Sequence, residues 1–543
     1  MKSKNFKAEL QTLPEMLDFL EERLTRLHIS KKSVLNTTLI AEESLVQLID
    51  NAEDGCVVNV SIQSKVMAAT VYISVKGKKI NSDLMGFSAV DNDSEPVSEQ
   101  DLRAVMLRSY SNSFAYNWVD GTNHVMINCG KTQRLFAWQS LIALAAAFIL
   151  AFPLKYILGS AGVDMLVNRF LYPVQSTMVN LLTLVIAPTL FFSIVSFVSN
   201  CTGVSSFGKL SIRIIFGFVV TSIASVFLGY LFFAILRPGT EGLLADLLLY
   251  KGQTIEFAGG LQETLANIVP SNIVSPFLNT NVPQLLFMAL LCGVAVGRAG
   301  RFSVQLRAMA DAFDTLFSKV LELISVCIPI TAFVSMLTNL LSTGLATIGS
   351  LLHFLLTITL SLLGLVLMYS VLIAVSGLNP LPYLKKYARL VRDSLMEKSS
   401  VEAVPATIRC CKNELGISND ICSIAIPLGA VGNMDANCIY LTVSLLFLTR
   451  ICSMGGMGKG MLPLAIMIIL LSLGSPLTPG SIILTLTMLA SYSGISVAAV
   501  SLLFGFNAFV ELFLSVCNSA GDVAVALIVA KNQKKLDLDT YYS

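Results

Sequence analysis

The sequence predicts an all-α polytopic membrane protein with a small α+β head. Three observations carry that reading. The 543 residues are 54% hydrophobic and only 13% charged, with mean hydropathy +0.73, where a soluble domain is about 25% charged. The charges are unevenly placed: residues 1–134 hold 32 of the 72 charged side chains. From Leu135 onward, long apolar runs recur. This composition excludes an ordinary water-soluble enzyme and a disordered chain. Lys+Arg 37 against Asp+Glu 35 leaves net charge +2, so no basic field exists to hold nucleic acid.

The head comes first. Residues 10–50 read as one or two amphipathic helices, and residues 56–80 alternate like two strands joined by a turn. The acidic stretch 91–101 reads as loop, 101–118 as helix and 123–129 as strand. The N-terminus is polar and lacks a signal-peptide pattern, so the head is expected in the cytoplasm. The predicted divisions are a head over 1–134, a membrane domain over 135–533 and a tail over 534–543.

The membrane domain shows apolar runs at 136–158, 172–199, 212–236, 283–297, 316–341, 347–376, 421–449, 461–490 and 497–517. A spanning helix needs about 20 residues, so most of these can cross. The run 461–494 contains GSPLTPG (474–480). Two Pro and two Gly in seven residues break a helix, and unwound backbone is tolerated at membrane depth only where it is buried or lines a cavity. This run therefore reads as a re-entrant hairpin. Residues 385–415, polar and interrupted by two serines and Pro405, read as a second. Lys131 and Arg134 before the first span, and the lysines of 531–535 after the last, place both ends inside. About eight spans plus two re-entrant hairpins fit.

Ionisable residues inside apolar runs cost at least about 2.5 kcal/mol each and are functional by default. Asp435 lies in PLGAVGNMDAN (427–437), and Glu511 and Asp522 lie in FVELFLSVCNSAGDVAVA (509–526). Glu511, Ser515, Asn518 and Asp522 are spaced by 4, 3 and 4 and share one helix face. Gly429 and Gly432 let the chain near Asn433 unwind and offer carbonyls. Carboxylate, amide and carbonyl oxygens together suit a hard cation. The eleven cysteines show no metal-ligand or disulfide spacing.

These residues carry a resemblance. Residues 135–533 resemble the dicarboxylate/amino acid:cation symporter family, the glutamate transporter homologues. NMD (433–435) after PLGA (427–430) is similar to the family's unwound seventh span, and NSAGD (518–522) to its eighth. The serines at 399–400 with Pro405 match the first hairpin tip, and Thr478, Pro479 and Gly480 match the second. The resemblance implies a homotrimer in the membrane lipid, an elevator-like motion of a transport domain, and Na⁺ as the co-transported ion. One implied cation site uses carbonyls of Gly429, Asn433 and Asn518 with the Asp522 carboxylate. Another uses Thr221, Ser222, Asn433 and Asp435. A third involves Met434 with hairpin carbonyls near Gly474 and Ser475. Substrate would meet Ser400, Asn437, Glu511, Leu514, Ser515, Asn518 and the second hairpin.

The chain departs from that family's acidic-substrate pattern. Leu514 stands where those members carry an Arg for the side-chain carboxylate, and Glu511 stands where they carry an Asp for the amino group. Burying an unpaired carboxylate costs several kcal/mol, so the expectation is a small neutral amino acid. Lys398, near Glu402 in the first hairpin, is the alternative positive charge; if it reaches the pocket, an acidic amino acid or dicarboxylate is the substrate. A different class of reading is a membrane ligand sensor that signals through the head. No nucleophile–base pair appears, so no enzyme is expected.

The head resembles histidine-kinase-like ATPases of the anti-sigma-factor kinase type, over residues 41–52, 71–80 and the strand after 120–122. Gln47 stands about where that family places its Mg²⁺-holding Asn, and Lys76-Gly77 where it places Asp-x-Gly. A long Gln holds a hard cation poorly, and a Lys cannot accept the adenine amino hydrogen bond. The head is therefore expected to dock a cytoplasmic protein partner or regulate the membrane domain.

Overall fold

The computed structural model describes residues 2–26, 31–53, 55–64, 68–78, 114–119, 121–130, 133–203, 208–243, 261–393, 404–453, 460–473 and 480–543. The chain divides into two compact units, Met1–Leu135 and Phe136–Ser543.

Among the described residues, the first unit is a five-stranded antiparallel sheet with two α-helices. Strands β1 (Lys2–Lys7), β2 (Val57–Ser64), β3 (Ala68–Lys76), β4 (Phe114–Val119) and β5 (Thr122–Gly130) lie in the order β1-β2-β3-β5-β4. Helices α1 (Leu13–Arg26) and α2 (Lys31–Asp50) supply the other half of the core. The periods explain the packing. Val58, Val60 and Ile62, then Val71, Ile73 and Val75, point to one face at period two. Met16, Leu20 and Leu24 on α1, and Ala41, Leu45 and Leu48 on α2, recur every three or four residues. All these side chains are buried in one cluster. Burying a Val, Leu or Ile stabilises by about 1.5–3 kcal/mol.

Two strands differ from the sequence reading. Residues 114–119 form β4 rather than the end of a helix; aromatic and β-branched residues in Phe-Ala-Tyr-Asn-Trp-Val favour a pleated surface. Residues 2–7 form β1, which pairs with β2 from Lys2↔Ile62 to Lys7↔Val57. The expected loop over 91–101 and helix over 101–113 lie outside the described residues.

The second unit is helical. Helix α3 (Gln133–Leu166) carries Pro153 and breaks at Gly159 (φ 59°, ψ −176°), a conformation open mainly to glycine. A wide turn at Val167–Leu171 leads into α4 (Tyr172–Gly203). Then come α5 (Gly208–Leu236), α6 (Val282–Gly297), α7 (Ser303–Ser325), α8 (Ile328–Thr343) and α9 (Leu345–Val375). They are followed by α10 (Pro380–Asp393), α11 (Val404–Asn413), α12 (Asn419–Gly432), α13 (Asp435–Ile451), α14 (Met461–Leu473), α15 (Ser481–Tyr492), α16 (Phe504–Asn532) and α17 (Leu538–Tyr542).

Among the described residues, five helical stretches are long and apolar enough to cross a membrane, or six if the pair α6–α7, bent by 103°, counts as one span. The expected eight spans are thus met only in part. One stretch, Gln139–Asn200, is 62 residues long and holds two of the predicted runs, since one crossing takes about 20. The run 316–341 is cut between Ser325 and Ile328, where Pro329 in the first turn of α8 starts a new helix. Helices α14 and α15 have 13 and 12 residues, each too short to cross at 1.5 Å per residue; the stretch between them, 474–479, lies outside the described residues.

Helix α13 is buried on every side except at Arg450, which places it at the centre of the unit. Helix α5, in contrast, exposes Ile212, Phe216, Val220, Ile223, Phe227, Leu231 and Ile235. They recur every three or four residues, so one apolar face meets lipid.

Residues 534–543, expected as a tail, are packed. Asp537 caps α17, Leu536 bridges to Ile417, and the Asp537 N–H donates to Gly416 O at 2.9 Å. The Lys386 ammonium is buried and donates to Glu414 O (2.8 Å), Thr540 O (2.8 Å) and Tyr541 O (2.9 Å). Three carbonyls satisfy all three ammonium donors.

Candidate functional site

The site is built on a helix break. Helix α12 ends at Gly432, and Asn433 (φ −118°, ψ 81°) and Met434 (φ −107°, ψ 52°) are not helical before α13 starts at Asp435. Pro427 lacks an N–H, and Gly429 and Gly432 have poor helix propensity, so this segment unwinds readily. The break leaves backbone groups to be satisfied. Asn518 of α16 does part of this: its Oδ1 accepts from the Ala436 N–H at 2.8 Å and so caps α13. Asp435 in the first turn of α13 also favours the positive end of the helix dipole.

Side chains from four helices converge on the break. The Ser222 hydroxyl of α5 donates to Asp435 Oδ1 at 2.8 Å, and the Tyr369 hydroxyl of α9 donates to Asp435 Oδ2 at 2.7 Å. The Thr221 hydroxyl lies 3.4 Å from Asn433 Oδ1. The Asn433 amide donates to Asp522 Oδ1 of α16 at 2.9 Å. Thr221, Ser222, Asn433, Met434, Asp435, Asn518 and Asp522 are all buried. Gly429 is required by closeness: a Cβ there would sit 2.4 Å from Asp522 Oδ1.

Two carboxylates, amide oxygens and hydroxyls form an all-oxygen set, which fits a hard cation. Among the described residues no three His, Cys, Asp or Glu side chains converge, so a softer transition metal is a poor match. No ion pair among the described residues reaches Asp435 or Asp522. A buried carboxylate without a counter-charge costs several kcal/mol, so this cluster is complete only with a cation or a proton. Expected site residue Met434 turns its sulfur toward the Asn518 amide (3.2 Å), and its companions Gly474 and Ser475 lie outside the described residues.

A second polar group lies beside the first on α16. Both oxygens of Glu511 accept from the Gly480 N–H, at 3.0 and 3.1 Å, and Oε1 also accepts from the Asn507 amide at 3.0 Å. Gly480, at φ 84°, precedes α15, so Glu511 caps the N-terminus of that hairpin arm. The Asn518 amide donates to Asn437 Oδ1 at 3.1 Å. Leu514 is buried, 2% exposed, and Ser515 is half-buried. Ser400, Lys398, Glu402, Thr478 and Pro479 lie outside the described residues. Sequence reasoning missed Tyr369 and Asn507. Asn507 precedes Glu511 by four residues, a helical spacing that could have found it; Tyr369 had no such signal.

A family model described as the sodium:dicarboxylate symporter family matches residues 136–532. The chain belongs to the sodium:dicarboxylate symporter family. Among its relatives is a C4-dicarboxylate transport protein of Bacillus subtilis (strain 168), 25% identical over 384 residues, covering 68% of this chain and 89% of the relative. A C4-dicarboxylate transport protein of Deinococcus radiodurans is 27% identical over 382 residues, covering 68% and 85%. One of Solibacter usitatus (strain Ellin6076) is 24% identical over 413 residues, covering 74% and 93%. As a member of this symporter family the chain is a multi-pass membrane transporter and not an enzyme.

In the first unit, the corner at Gly77 is closed by the protein's own groups. A Cβ at Gly77 would lie 2.2 Å from Asn51 O. The Trp118 indole donates to Gly77 O at 3.2 Å, the Asn123 amide to Lys78 O at 3.1 Å, and the Tyr116 hydroxyl to Asn123 Oδ1 at 2.6 Å.

Proposed function

We propose that this chain is a secondary active symporter that couples Na⁺ entry to import of a small carboxylate. One observation carries the coupling: Asp435 and Asp522 are buried in an all-oxygen cluster with no cationic side chain among the described residues. The names of the relatives support a C4-dicarboxylate as substrate. With Leu514 apolar, that reading needs Lys398 as the positive charge. A second reading, a small neutral amino acid, rests on a specific observation: Glu511 brings a carboxylate to the pocket, and Leu514 beside it offers no cation. A carboxylate there suits an ammonium group and repels a second anion.

The wider proposal follows the family resemblance: a homotrimer in the cell membrane, both termini cytoplasmic, and an elevator-like motion. The first unit serves as a regulatory or docking module. Its closed Gly77 corner supports that role over nucleotide hydrolysis.

The test is uptake into proteoliposomes of succinate, aspartate, alanine and serine, with and without an inward Na⁺ gradient. Na⁺-driven succinate uptake supports the dicarboxylate reading and moves the positive charge to Lys398. Na⁺-driven uptake of alanine or serine, with succinate inert, supports the amino acid reading. No Na⁺-driven uptake of any of the four refutes the symporter and leaves the sensor.

A further inference from the structure

We propose that Tyr369 is a positioning residue for the cation: its hydroxyl holds one oxygen of Asp435 so that the other faces the cation. Tyr369 sits in the apolar helix α9 and is fully buried. A buried tyrosine hydroxyl needs a partner, and this one finds Asp435 Oδ2 at 2.7 Å. The other oxygen, Oδ1, lies 2.8 Å from the Ser222 hydroxyl, on the residue next to Thr221, whose own hydroxyl lies 3.4 Å from Asn433 Oδ1. Donors from two helices therefore divide the carboxylate between them. The Oδ2 side is fixed by α9, and the Oδ1 side is turned to the hydroxyl of α5.

The surroundings reserve the space for this hydroxyl. A Cβ on Gly521 would lie 2.5 Å from the Tyr369 hydroxyl and 2.8 Å from the Asn433 amide nitrogen. Only glycine at 521 lets the tyrosine and the asparagine sit side by side. On cation entry the Ser222 hydroxyl can turn its hydrogen away and offer a lone pair, because serine both donates and accepts. The Tyr369 hydrogen bond on Oδ2 is compatible with the loaded and the empty cluster alike. Phenylalanine at 369 lets the carboxylate rotate out of the orientation that presents Oδ1, and that loss of orientation weakens cation binding.

This inference rests on the cation-coupled reading, and its test needs no transported substrate. The full chain in detergent is unfolded by heat in a series of NaCl concentrations, with choline chloride keeping ionic strength constant. A bound ion stabilises the folded protein with a midpoint set by its affinity. Losing a partner that orients a ligating carboxylate typically costs about 10–100-fold in metal affinity, so Tyr369→Phe is expected to raise the Na⁺ midpoint about tenfold or more. Gly521→Ala, which crowds the hydroxyl without removing it, is expected to shift the midpoint the same way. Tyr383→Phe is the control: that tyrosine is also fully buried but donates to Ala520 O at 2.9 Å, so it lowers stability without Na⁺ and leaves the midpoint in place. A Tyr369→Phe midpoint within twofold of the parent, or an equal shift in Tyr383→Phe, overturns the proposal. A parent chain that Na⁺ does not stabilise at all overturns the cation-coupled reading, and this inference with it.

Discussion

The proposed cation cluster and the proposed substrate site share helices α13 and α16, yet they are built differently. In the cluster, Thr221 meets Asn433, Ser222 meets Asp435 and Asn433 meets Asp522, and the backbone leaves no slack. Gly429 and Gly521 sit against Asp522 and Tyr369 at distances no larger residue tolerates. The pocket keeps Asn518 but holds Leu514 where acidic-substrate members carry Arg, and its Glu511 is occupied by the hairpin arm at Gly480. The lesson is physical. A cation site is defined by the break in the backbone and by short side chains packed against it, so almost any change is costly. A substrate pocket is defined by side chains on one helix face, and those can change the cargo without touching the break.

The comparison breaks first at Asp522. With Na⁺ as the partner of Asp522, removing one member of a buried charge pair costs about 3–5 kcal/mol, so Asp522→Asn should lower Na⁺-driven uptake by roughly two orders of magnitude or more. Ligand binding measured by calorimetry should persist in a sensor and fail together with uptake in a symporter. Next comes Leu514→Arg, which places a guanidinium one turn from Glu511. Competition by aspartate or succinate against the native cargo should strengthen by about 10–100-fold, while the Na⁺ midpoint stays put. A coupled change in both would show that the two regions are not separable.

Smaller effects come from outside both regions. Lys386→Met removes the donor of one buried and two part-buried carbonyls, and an unsatisfied buried acceptor costs about 1–3 kcal/mol. Thermal stability should fall by several degrees with the Na⁺ midpoint unchanged. The smallest effect is at Asp537. The Thr540 hydroxyl, and backbone N–H groups of the same cap, hold its carboxyl below the usual carboxylate range. Its contribution is therefore present above that range and is lost as the pH falls through it. Hydrogen exchange of 538–542 should accelerate below about pH 4, with the helix break at 433–434 unaffected.

Much of the cation cluster was legible in the sequence because it is local. Pro427, Gly429 and Gly432 precede Asn433 and Asp435 within nine residues, and 518–522 is one turn of helix. Tyr369 was not legible, because a single tyrosine in an apolar run carries no spacing signal and its partner is 66 residues away. Asn507 was within reach of helical periodicity. In the first unit, two strands were hidden: β1 because its lysines mask a pairing edge, and β4 because its run is short. The head's α+β class followed from the amphipathic helices read over 10–50 with the alternation over 56–80, and the pairing of β2 with β3 from that alternation. Span counting was met only in part: the run 316–341 is cut between Ser325 and Ile328, since apolar length does not record a break.

The clasp at Lys386 also has a consequence for how the chain is made. Two of its three acceptors, at 540 and 541, are synthesised 154 and 155 residues after it. Through all of that synthesis the ammonium lacks these acceptors, while α12, α13 and α16 are being threaded into the bilayer. The base of the first hairpin can therefore close only after the helices that carry Asp435 and Asp522 exist. The clasp is complete only once the whole bundle has been synthesised.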